Sequence, residues 1–141
     1  MNMMIPLLNS NSWQKGEVGM DIEEINLIND YLKGQLWMDF ELCSIGCGKI
    51  EMFGFLDESG EDKIKIVFDR PYMMLITFCF TYEGNGNFIF LVTGDEAVEL
   101  NKKYGVIQGN QIFKISNTNI NNDMYIIARA IKIAFMQDGS E

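Results

Sequence analysis

Gly46-Cys47-Gly48-Lys49 carries the glycines and the lysine of a phosphate-binding loop. That loop also needs a first glycine with four residues between it and the Gly-Lys pair, a Ser or Thr after the lysine, and a helix N-terminus to receive the phosphate. Cys43 stands at the first position and Ile50 follows Lys49, so the stretch reads as a turn between two strands. Cys43 and Cys47 could form half of a metal site. A structural zinc takes four ligands, however, and Cys79 with a carboxylate would have to complete the set in a chain without histidine. Three cysteines, one of them inside an apolar run, do not form a disulfide framework, and Cys79 reads as a small core residue. No metal and no other cofactor is expected.

Carboxylates are the remaining chemical resource. Asp57, Glu58, Glu61 and Asp62 crowd into one short connection. A calcium loop alternates its acidic ligands and is flanked by helices; this connection does neither, which leaves a solvated loop or an acidic patch facing a partner. Asp95, Glu96 and Glu99 form a second acidic group on a predicted helix. Asp39 and Glu41 lie two residues apart in an alternating segment, so both fall on one strand face, where paired carboxylates could share acid and base work. Tyr82, beside the apolar centre, would be the third polar handle of such a pocket. A solvated strand face is the simpler reading of Asp39 and Glu41.

Composition narrows the choice. The chain has 141 residues, 48% of them hydrophobic, with 20 acidic against 11 basic side chains and a formal charge of −9. With no histidine, a Ser-His-Asp or Cys-His mechanism is closed to this chain alone, as is any His-ligated metal. The negative field repels phosphate backbones, which argues against nucleic acid, and favours encounter with a basic protein. No apolar run reaches the ~18 residues of a membrane span, and Met1–Leu8 is short and uncharged for a secretory signal, so a cytoplasmic protein is expected.

The elements that must position these residues follow from periodicity. Residues 1–20 read as a loosely structured N-terminal arm, and residues 21–141 as a single α+β domain. Asp21 as N-cap and Glu24 three residues later open a helix to Lys33, with Ile22, Ile25, Ile28 and Leu32 as its buried stripe and Gly34 after its end. Leu36–Ile45 alternates as a strand, with Leu36, Met38, Phe40 and Leu42 on the apolar side. Lys49–Leu56 pairs back through Ile50, Met52, Phe53 and Phe55, and Gly54 marks a bulge or a close backbone approach. Ile64, Ile66 and Phe68 open the most apolar stretch of the chain. Pro71 separates this strand from Tyr72–Phe80, which is predicted to form a hairpin with Phe88–Val92 around Glu83–Asn87. A short helix runs from Thr93-Gly94-Asp95 through Tyr104 to Gly105. Gln111–Ser116 is a strand, and Met124–Met136 reads two ways: its isoleucines favour a strand, while Ala128, Ala130 and Ala134 after an Asn/Asp cap would suit a helix. The sum is one mainly antiparallel sheet of about six or seven strands, with the N-terminal helix and one short helix packed at a face or end.

A helix, then Leu36-Trp37-Met38-Asp39-Phe40, hairpins, and Ile64-Lys65-Ile66-Val67-Phe68 is an order that resembles the small β-rich immunity proteins of bacterial polymorphic toxin systems. The likeness would span residues 21–135. A His-Asp pair is frequent at the first motif in that group, and here Met38 precedes Asp39. The resemblance implies tight binding to a toxin domain without catalysis, through the Asp57–Asp62 loop and the Asp95/Glu96/Glu99 helix face. Two other functions fit the residues. One is a small ligand-binding protein or histidine-independent enzyme using Asp39, Glu41 or Tyr82; the other is a structural homo-oligomer joined at a sheet edge.

Overall fold

The computed structural model describes residues 11–56, 62–106 and 108–136. Among them are two helices, α1 (Asn11–Lys33) and α2 (Gly94–Tyr104). The strands are β1 (Met38–Gly46), β2 (Lys49–Phe55), β3 (Asp62–Leu75), β4 (Cys79–Tyr82), β5 (Ile89–Leu91), β6 (Gln111–Ile115) and β7 (Met124–Phe135). All seven strands belong to one antiparallel sheet in the order β4-β1-β2-β3-β7-β6-β5. The fold is α+β.

β4 and β5 lie at opposite ends of this order, yet only residues 83–88 join them. The sheet therefore curls until its edges approach. The segment after β6 closes the gap: Glu83 N–H donates to Asn117 O at 3.0 Å, and Asn119 N–H to Thr81 O at 3.0 Å. This overturns the expected 72–92 hairpin. Gly and Asn at 83–87 do make a tight reversal, with Gly84 at φ 79° packed against Leu36 O, but the strands on either side pair elsewhere, β4 with β1 and β5 with β6. Pro71 does not divide two strands either. It sits inside β3 at a register shift, next to Arg70 at φ 51°, so the strand bends there and continues.

The concave side of the sheet is the core. Met38, Phe40, Ile50, Met52, Ile64, Ile66, Phe68 and Phe113 point inward and meet Ile25, Ile28 and Leu32 of α1. Period-two burial along β2 and its neighbours brings these side chains to one face. Gly54 is part of that inner row: a Cβ there would stand 2.7 Å from Met38 Sδ and 2.8 Å from Phe40 Cε1. Close approach is thus its role, alongside a register shift at Gly54/Phe55.

α1 begins ten residues before the expected Asp21, which makes Asp21 an interior helical residue rather than a cap. It is buried, and its Oδ1 accepts from Ile131 N–H at 3.2 Å, while Glu24 Oε1 accepts from Ile133 N–H at 2.7 Å. β6 is too short to pair with that part of β7, so acidic side chains of the helix satisfy its backbone donors instead. Ile22, expected in the buried stripe, is 43% exposed, and buried Asn29 joins the packed face. Cys79 is another correction: it lies on the outward side of edge strand β4 and is exposed, because Phe80 and Tyr82 take the inward positions.

α2 covers part of the convex side. Ala97 and Leu100 pack on Val92, Ile112 and Ile127, with Met73, Val106 and Tyr125 around them. Tyr125 and Ile127 therefore face α2, whereas Ile131 faces the inner core with Ile126 and Ala128. Met124–Phe135 is a strand, as its isoleucines suggest, but its odd-numbered residues do not share one face.

Candidate functional site

The carboxylates singled out above do not gather in one place among the described residues. Asp57, Glu58 and Glu61 lie outside the described residues, and Asp62 opens β3 at the register position opposite Phe55. Asp95 and Glu99 are exposed on α2. Glu96, on the same helix, turns to the sheet. Its carboxylate lies 3.2 Å from Lys114 Nζ and accepts the Tyr125 hydroxyl at 2.8 Å. That hydrogen bond, with the ammonium beside it, holds Glu96 below the usual carboxylate range against a smaller opposing effect of burial. Tyr125 is pushed upward, first by burial and then by the anionic Glu96 that accepts its proton. Glu96 is therefore engaged within the fold and is not a free partner-facing charge.

Around this cluster is an open groove of about 490 Å3, lined by Glu96, Glu99, Leu100, Lys102, Lys103 and Tyr125. Its charges are of both signs. A second groove, of about 350 Å3, runs between α1 and β5 past Asn26, Asn29 and Phe90. Asn29 is occupied: Nδ2 donates to Ile89 O at 2.8 Å, and Oδ1 accepts from Phe88 N–H at 2.8 Å and Ile89 N–H at 3.1 Å. One buried amide thus pins the helix to the start of β5.

Asp39, Glu41 and Tyr82 do not come together. Tyr82 is the register partner of Met38, faces the core at 2% exposure, and donates its hydroxyl to Gly86 O at 2.7 Å. Asp39 and Glu41 face the convex side, where Asp39 Oδ1 accepts from Thr81 Oγ1–H at 2.6 Å and Glu41 is exposed. On the neighbouring strand their register partners are Phe55 and Phe53. Both phenylalanines are half-buried and outward, on either side of inward Gly54. A glycine at the third inward position hides the alternation that Ile50 and Met52 begin, so the outward placing of Phe53 and Phe55 does not show in the sequence. Beyond Phe53, Lys65 of β3 is its next register partner. Its Nζ lies 5.9 Å from the Phe53 ring centroid and 3.9 Å from Glu51 Oε2.

Two negative observations apply to the described residues. No group of three or more Cys, Asp or Glu side chains is placed to hold a metal ion, and no helix is long and apolar enough to cross a membrane. No family model, curated protein or solved structure matches the chain.

Proposed function

We propose that the chain is a non-catalytic protein-binding module, of the immunity type that Leu36–Phe40 and Ile64–Phe68 resemble, and that in the bacterial cytoplasm it holds a basic toxin domain against its acidic exterior. The observation that carries this reading is the parting of Asp39 and Glu41 from Tyr82 by the sheet itself. Carboxylates turned outward, away from the one tyrosine that could complete a pocket with them, suit charge pairing with a partner better than shared proton transfer. The formal charge of −9 adds long-range attraction for a basic surface. At the sheet edges, β4 is taken by residues 117–119 and β5 by the Asn29 side chain, which favours contact through a face over strand addition between copies.

The test is to look for a toxin-domain gene beside this one and to co-express the two. Protection of the host and a one-to-one complex on size-exclusion chromatography are expected. Unprotected cells and separate elution of the two proteins would overturn it.

A further inference from the structure

We infer that the partner docks on the uncovered convex face of β1 and β2, and that it meets this face with an arginine- or lysine-bearing segment. The inference rests on the protein-binding reading above and gives it a location. Among the described residues, α1 lies on the concave side and α2 on the convex side of β6, β7 and Met73, so neither covers this region.

What the face presents is an apolar centre with carboxylates on its β1 side and the lysines Lys63 and Lys65 on its β3 side, so the room for a further cation is on the β1 side. Phe53 and Phe55 stand side by side along β2. Register sets Glu41 and Asp39 beside them on β1, and Glu51 precedes them on β2. Asp39 is already held by the Thr81 hydroxyl, so less side-chain freedom is lost when a cation arrives.

The chain itself shows what such a surface attracts. Lys65 places its ammonium near both the Phe53 ring and the Glu51 carboxylate, a cation shared between an aromatic face and an anion. Glu41 and Asp39, on the far side of the same phenylalanines, have no such cation of their own chain beside them in the register. An incoming guanidinium could stack on Phe53 or Phe55 and pair with either carboxylate in the same pose, since its plane and its N–H fork serve both contacts. Helix α2 is the weaker candidate. Its Glu96 is matched by Lys114, and Asp95 and Glu99 share their short helix with Lys102 and Lys103.

Two measurements on the full chain test this. First, a synthetic hexa-arginine peptide is titrated into isotope-labelled protein, with amide shifts followed by NMR. Shifts concentrated at Asp39–Glu41, Glu51–Phe55 and Lys65 support the proposal. Shifts centred on α2, or spread evenly over the acidic surface, overturn it. Second, affinity for the toxin domain is measured for Phe53→Ala, Glu41→Lys and Glu99→Lys. The first two should each lose about tenfold or more, as central contacts do, and the third less than about twofold. Equal losses at Glu99 and Glu41, or none at Glu41, would overturn it. Glu41 is exposed, so its variant remains informative should Phe53→Ala fold poorly. If the unaltered chain does not bind the toxin domain at all, the immunity reading fails, and the peptide titration still decides where basic segments dock.

Discussion

Phe40 and Phe53 occupy adjacent strands of one sheet and point to opposite sides of it. Phe40 is 1% exposed, with its ring 4.6 Å from Phe88 and 5.6 Å from Phe80, and Tyr82 meets Phe88 edge-on at 5.7 Å. Phe53 is half-buried, among Glu41, Lys65 and Glu51. The same side chain is closed core packing on the concave side and a half-buried ring on the convex side. Removing each ring should separate the two roles. Phe40→Ala leaves a cavity beside the Phe80 and Phe88 rings and should lower stability by about 3–5 kcal/mol in urea denaturation. Phe53→Ala should cost less, about 1–2 kcal/mol, because the ring is half-buried on an open face and its removal leaves no closed cavity. Similar losses for both would mean that the convex face is a second core.

The concave side also depends on a polar group. Asn29→Leu keeps the branching of the side chain, though it is bulkier, and strips partners from Phe88 N–H, Ile89 N–H and Ile89 O at once. Buried and unmatched, they should lower stability by about 2–3 kcal/mol, read as a shift in denaturation midpoint. Gly54→Ala tests the boundary between the two sides. Its new methyl would enter the inner row against Met38 and Phe40, not the outer row with Phe53 and Phe55. A loss of about 1–3 kcal/mol is expected by the same assay, and an unchanged midpoint would mean that the inner row has room to give.

How far these features were legible in the sequence depended on the range of the interaction. The turn at Gly46–Gly48, the strands beside it, α2 with its Gly105 stop, and the strand at Met124–Phe135 follow from neighbours within a few residues. Gly105 adopts φ 62° and its N–H bonds to Asn101 O, as a C-terminal glycine does. The partners of β4 and β5 did not follow. Glu83–Asn87 has the composition of a hairpin turn, and nothing local reveals that β1 and β6 compete successfully for the strands on either side. The start of α1 was missed for a similar reason: Asp21 has the chemistry of a cap, and only its contact with Ile131, far along the chain, explains an acid in mid-helix. Of the candidate site, the shared face of Asp39 and Glu41 was readable from alternation. Their distance from Tyr82 was not, because it depends on the Met38–Tyr82 register.

The smallest effect expected concerns the part of the convex side that α2 does cover. There the Glu96 carboxylate is matched by the Lys114 ammonium and the Tyr125 hydroxyl, in contrast to exposed Glu41. Because Glu96 titrates below its ordinary value of 4.5 in the folded protein, its contribution is fully present above that value. The contribution is lost as pH falls through the depressed folded value, where Glu96 protonates in both states. Glu96→Gln should therefore lower stability slightly at neutral pH and flatten the acid limb of the stability profile. Tyr125 supplies the opposite sign. Its pKa is raised, so the stability it contributes is complete below the ordinary tyrosine value of 10.0 and is lost only as pH climbs toward the folded value. In an ultraviolet titration of phenolate absorbance, Tyr125 should ionise above the ordinary tyrosine value of 10.0. Glu96→Gln should bring it part of the way back and no further, because burial is the larger cause of the shift and remains. A complete return would mean that the carboxylate alone sets the tyrosine, and that α2 shields this half of the convex face less than its packing on Ile127 and Ile112 implies.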